Sequence, residues 1–221
     1  AGVNFYDGKG FMVNKKLNVK SAKELNGASI CVQQGTTTEL NLADYFRSNK
    51  MDYKVVTFGT SEEALKAYDS GRCDSYTTDR SGLAADRLSM AKPDDHIILP
   101  EVISKEPLGP VVRQGDDQWL NLVKWVHYAC LLYTSDAADE KNVDEKLKSE
   151  DPEIKRVLGT EGKFGESLGL SNNWVVQVLK GVGNYEEMFE RNVGPNTPLQ
   201  LARSSNALWS KGGLQYAPPI R

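Results

Sequence analysis

Two short stretches carry groups that could hold a small charged molecule. The first is QQGTTTE, residues 33 to 39, where an apolar strand ends at a glycine and three consecutive threonines open a helix. The first N–H groups of a helix have no partner within it, the helix dipole places partial positive charge there, and threonine hydroxyls add donors. Such a point is a seat for a carboxylate or a phosphate. Taken alone, the stretch is more often an ordinary helix cap, made by Thr36 or Thr37. The second stretch is YTTDRS, residues 76 to 81, with Asp79 at the carboxyl end of a strand, the edge at which open α/β sheets bind ligands. A carboxylate there could accept hydrogen bonds from an ammonium group, with Thr78 as a further polar contact. Asp79 could equally cap the helix that follows. Together, an anion seat and a carboxylate on neighbouring strand ends match the two charges of an amino-acid zwitterion, which neither half does alone.

Other chemistry is thin. There is no nucleophile elbow, Gly-rich dinucleotide loop or Lys-bearing phosphate loop, and GKGFMV has the wrong spacing for one. His96 precedes IILP as an edge or loop residue, and His127 falls on a helix where a packed or solvated imidazole outranks a catalytic one. The acidic pairs of SEDPE read as solvated surface charge. Cys31, Cys73 and Cys130 match no zinc spacing, and with two histidines a metal site is not expected, nor is a cofactor. In an oxidising compartment Cys31 and Cys73 could pair and leave Cys130 over. Buried thiols acting as small hydrophobes are an equal reading.

The elements that position these residues alternate. ASICVQQ (28 to 34) is a strand, and Leu40, Ala43 and Phe46 lie at helical spacing after it. YKVVTF (53 to 58) is the next strand; Thr60 and Glu63 form a capping box that opens a helix, which Gly71 stops. CDSYTTD (73 to 79) is the third strand, and its helix ends before Pro93. The order βαβαβα predicts a mostly parallel sheet covered on both faces. GKGFMVNK (8 to 15) and EPLGPVVRQ (106 to 114) bracket this block as two strands crossing between lobes. Beyond them, Trp119, Leu122, Val123 and Val126 sit at 0, 3, 4, 7 spacing in an amphipathic helix of a separate packing unit. NVDEKLKSEDPEIKRVLG, LSNNWVVQVLKGVGNYEEMFERN and PLQLARSSNALWS predict further helices, and GGLQYAPPIR a tail.

With 221 residues, 39% hydrophobic and 26% charged, the composition is that of an ordinary globular protein large enough for one core or two smaller lobes. A formal charge of -3 and pI near 5.6 give no reason to expect nucleic acid or an anionic membrane as partner. No apolar run approaches the roughly 20 residues of a membrane helix, and AGVNFYDGKG lacks the regions of a signal peptide.

The residues resemble a family. VNFYDGKGFMV, VKSAKELNG, CVQQGTTTELNLADYF, YTTDRSGLAA, LPEVISKEPLGPVVRQGDDQW, LGTEGKFGESLGL and NALWSKGGLQYAPPIR are similar to the general L-amino-acid-binding proteins of bacterial ABC uptake transporters, through nearly the whole chain. The resemblance implies an α/β fold of the two-lobe periplasmic-binding-protein type (type II), and binding of an L-amino acid for delivery to a permease in the inner membrane. It implies that Gly35, Thr36 and Thr37 hold the α-carboxylate, that Asp79 takes the α-ammonium, and that Gln33 and Thr78 lie beside the ligand. It further implies a periplasmic protein, a monomer when full length.

Two departures from the family follow. Its signal peptide and most of its first lobe, with an arginine clamp and aromatic walls, are absent, so the second lobe is expected to be complete and the first largely missing. The corresponding divisions are 1–13, a first-lobe remnant and first crossing strand; 14–106, the ligand-binding lobe; and 107–221, the second crossing strand, returning helices and tail. At 130–140, CLLYTSDAADE breaks the helical pattern and reads as one frame of a transposase-type sequencing adapter in place of natural codons. The competing readings are a periplasmic enzyme of the same fold, such as a cyclic carboxylic acid dehydratase, and a fragment that binds nothing. An acid or base poised at the site would favour the enzyme.

Overall fold

A computed structural model describes residues 1–132 and 139–220. The adapter reading at 130–140 falls mainly outside the described residues. The chain divides into two compact units, Asp7–Glu106 and the pair of segments Ala1–Tyr6 and Pro107–Arg221. It passes between them at β1 (Phe5–Asp7) and β7 (Glu106–Leu108), which pair with each other.

The unit Asp7–Glu106 is built on five strands: β2 (Lys9–Asn14), β3 (Ser29–Gln33), β4 (Lys54–Phe58), β5 (Ser75–Asp79) and β6 (His96–Ile98), in the order β4-β3-β5-β2-β6. β3 runs parallel to β4 and β5, whereas β2 is antiparallel to both β5 and β6. The sheet is therefore mixed rather than mostly parallel. Residues 8–15, read from sequence as a crossing strand, instead enter the sheet as β2. The reason is the continuous burial of Lys9 to Val13: KGFMV is covered on both faces, as an interior strand must be. Period-2 alternation then splits the core. Phe11, Val13, Ile30 and Val32 join Leu42 and Phe46 in one cluster, while Met12, Cys31 and Tyr76 join Ala64, Tyr68 and Leu83 in another.

Three helices follow the parallel strands: α1 (Thr37–Ser48), α2 (Ser61–Asp69) and α3 (Arg80–Ser89). The capping box at Thr60 and Glu63 opens α2. In α1 the buried stripe is Thr38, Leu42 and Phe46, at i, i+4 and i+8, and Leu40 points to solvent, so the stripe expected through Leu40 is shifted. Cys31 on β3 and Cys73 just before β5 are joined by a disulfide.

The other unit is helical: α4 (Asp117–Leu132), α5 (Val143–Lys146), α6 (Pro152–Leu158), α7 (Trp174–Val182) and α8 (Tyr185–Asn192). Its main core gathers Ala129, Val143, Leu158, Trp174, Val175 and Leu179. Trp119 is exposed, so the α4 stripe begins further along the helix than its spacing predicts. Asp151 and Pro152 divide NVDEKLKSEDPEIKRVLG, because the aspartate caps α6 and the proline occupies its first turn. PLQLARSSNALWS forms short turns at Ser204–Asn206 and Trp209–Lys211 and no α-helix. There the Asn206 amide accepts from the Tyr6 N–H at 2.7 Å and donates to the Tyr6 carbonyl at 2.9 Å, a side chain pairing like a strand where a helix would have turned it away.

Candidate functional site

Because β3 and β5 are parallel neighbours, Gln33 and Asp79 end on the same edge of the sheet. β2, running the other way, starts there, with Lys9 directly across from Asp79. Gly35 makes the turn off β3 at φ +71°, a left-handed conformation that favours glycine. Thr36 is the N-cap of α1: its hydroxyl accepts from the Glu39 N–H at 3.4 Å and donates to the Gln33 carbonyl at 2.8 Å. The capping role weighed for Thr36 is thus present. The Glu39 carboxylate reaches back to the Gly35 N–H at 2.7 Å, so a carboxylate of the chain itself sits at the amides where an anion was expected. Thr37, the first residue of α1, is exposed, and the Gln33 amide donates to the Gly59 carbonyl at 3.4 Å.

Asp79 holds the N-cap position of α3 but makes no capping hydrogen bond, so the capping role weighed for it is not taken up. Its Oδ1 accepts from Lys9 Nζ at 2.8 Å, and Lys9 Nζ also lies 3.9 Å from Glu106 Oε1. Lys9 is buried, with 7% of its side chain exposed, whereas the Asp79 side chain is 34% exposed. Glu106 Oε1 further accepts from the Ser104 hydroxyl at 2.8 Å and the Asn41 amide at 3.4 Å. One lysine against two carboxylates leaves the cluster one negative charge, which suits a ligand cation. Thr78, beside Asp79, is half-buried.

Lys9, Glu106 and Glu39 were not singled out by sequence reasoning. For Lys9 a signal existed: a lysine at the head of the apolar run GFMV must find a carboxylate if that run is an interior strand.

The histidines lie elsewhere. His96 starts β6, opposite Asn14 at the far end of β2, and so stands at the sheet edge remote from Asp79. It is buried and its Nδ1 shares a hydrogen bond of 2.7 Å with the Tyr68 hydroxyl; burial lowers its pKa, with Asp69 and Asp95 opposing. His127 donates from Nε2 to the Val3 carbonyl at 3.1 Å, a packed histidine whose pKa burial also lowers. Among the described residues no group of three His, Cys, Asp or Glu could hold a metal ion.

No protein-family model matches the chain. A solved periplasmic binding protein of an ABC transporter from Brucella ovis, with glutathione bound, superposes on all of it at a TM-score of 0.95, with 58% identity, and 70% of that protein is covered. The chain belongs to the periplasmic binding proteins of ABC transporters. It is also 60% identical, over 99% of its length, to the general L-amino acid-binding periplasmic protein AapJ of Rhizobium johnstonii. To the glutamate/glutamine/aspartate/asparagine-binding protein BztA of Rhodobacter capsulatus it is 51% identical over 99% of its length. The chain spans 65% of the length of each of these two curated relatives. Its relatives are thus binding proteins and not enzymes, and the α/β fold read from sequence is that of this family.

Proposed function

We propose that the chain is part of the substrate-binding component of an ABC transporter for L-amino acids, working in the periplasm without catalysis and handing its ligand to an inner-membrane permease. The observation that carries this reading is the shared sheet edge: a carboxylate cluster of net negative charge at Asp79 stands beside the N-terminus of α1, on neighbouring parallel strands. An α-amino acid brings one ammonium and one carboxylate on a single carbon, and this edge offers a partner for each. Asp79 takes the ammonium, with Thr78 and Gln33 beside it. The α-carboxylate takes the N–H groups at Gly35, Thr36 and Thr37, and Glu39 swings off Gly35 to admit it. The relatives' names support the ligand class.

The glutathione in the Brucella ovis relative fits the same chemistry. Its γ-glutamyl end carries an α-ammonium and an α-carboxylate on one carbon, as a free amino acid does. The test is calorimetric titration of the full-length gene product with L-glutamate, L-glutamine, L-leucine and L-arginine, with glutathione alongside. Saturable binding of one or more amino acids is the expected result. Saturation by glutathione alone, or by none of the five, contradicts the reading.

A further inference from the structure

Asp79 is unusual among N-cap aspartates. At φ -58° and ψ 141° it is placed to accept from the amides of the first turn of α3, yet it makes no such bond. Two preceding residues of β1 and its turn do that work instead. The Gly8 carbonyl accepts from the Arg80 N–H at 2.9 Å, and Asp7 Oδ2 accepts from the Ser81 N–H at 3.3 Å and the Ser81 hydroxyl at 2.5 Å. The next residue, Lys9, holds Asp79 by Oδ1 at 2.8 Å. Lys9 is itself fixed: its N–H donates to the Ser104 hydroxyl at 3.0 Å, and its stem lies buried at the head of an apolar strand. Burying a lysine ammonium costs stability, and a buried ion pair recovers that cost only in part, so packing alone does not account for the residue.

We propose that Lys9 is a positioning residue for the ligand. It draws the Asp79 carboxylate away from the helix it would otherwise cap and holds it by one oxygen, which leaves Oδ2 for the ligand ammonium. Asp7 and Gly8 make this possible by satisfying α3 in its place, so DGK acts as one device: two residues release Asp79 and the third aims it. A carboxylate fixed before the ligand arrives loses less rotamer freedom on binding, which raises affinity without adding a contact. Glu106, 3.9 Å from Lys9, keeps the net charge negative after Lys9 has neutralised one carboxylate. This inference rests on the reading of Asp79 as the ammonium partner.

The test compares Lys9→Met, Lys9→Gln and Asp79→Asn in the full-length gene product, titrated with L-glutamate, L-glutamine and L-leucine, with the melting temperature of each unliganded protein measured in parallel. Glutamine retains a donor for Asp79, whereas methionine keeps only the bulk. Lys9→Met is expected to weaken amino-acid binding at least about tenfold, Lys9→Gln to stay within about threefold of the parent, and Asp79→Asn to lose binding by about a hundredfold or more. Rescue by glutamine is the readout that a purely structural lysine would not give. Equal losses in Lys9→Met and Lys9→Gln, tracking a fall in melting temperature, overturn the proposal. So does undiminished binding by Lys9→Met while Asp79→Asn fails to bind. If Asp79→Asn binds like the parent, or no amino acid binds the parent, the functional reading itself falls and this inference with it.

Discussion

At the residue scale, the two histidines make stability depend on pH. His96 and His127 are both held below the ordinary imidazole value of 6.5, first by burial. The unfolded chain therefore binds protons between the folded value and about 6.5 that the folded chain does not, so stability falls as pH drops through that window. The urea midpoint is expected to be lower at pH 5.5 than at pH 7.5, and His96→Gln should flatten the slope; a midpoint that rises on acidification contradicts this account. Asp79 was legible from the sequence because it ends a strand with β-forming neighbours and precedes a helical run. For Lys9 the need for a carboxylate was legible but the partner was not, since Asp79 lies 70 residues away and only the antiparallel pairing of β2 with β5 brings them together. Glu39 was not legible either, because its grip on the Gly35 N–H depends on the turn that Gly35 makes.

At the element scale, local signals carried furthest where capping decided the boundary. Thr60 and Glu63 satisfy each other's backbone amides as a capping box, and Thr60→Ala is expected to cost about 1 kcal/mol of unfolding free energy in chemical denaturation. A change below a few tenths would show that α2 is held by packing alone. The disulfide between Cys31 and Cys73 closes a loop across a sequence separation of 42 residues and ties β3 to the start of β5, the two strands whose far ends carry the candidate site. Replacing both cysteines by alanine should lower unfolding free energy by about 4 kcal/mol, read from the denaturant midpoint at constant slope; an unchanged midpoint would mean that the bond closes no costly loop. Strand direction was the illegible part. The βαβαβα order argues for parallel pairing, but nothing in KGFMV says that it will run antiparallel between β5 and β6. Likewise PLQLARSS has helical propensity enough, and it is the long-range pairing of Asn206 with Tyr6 that overrides it.

At the scale of the whole molecule, the chain holds two units whose cores differ in kind, a sheet covered by helices and a helical cluster. The candidate site belongs wholly to the first. Its groups sit on one sheet edge because three strand-to-helix turns and the start of β2 converge there, while the His96 and Tyr68 pair and the start of β5 lie at the other end. This division keeps the groups of the candidate site at one edge and the buried histidine at the other. The central claim is that Asp79 is the ammonium partner of an amino-acid ligand, and the most direct test is calorimetric titration of full-length Asp79→Ala beside its parent with L-glutamate, L-glutamine and L-leucine. Removing one partner of a desolvated charge pair costs about 2 to 5 kcal/mol, so the variant should show no saturation at ligand concentrations that saturate the parent. Asp79→Ala binding these amino acids as tightly as the parent would contradict the account.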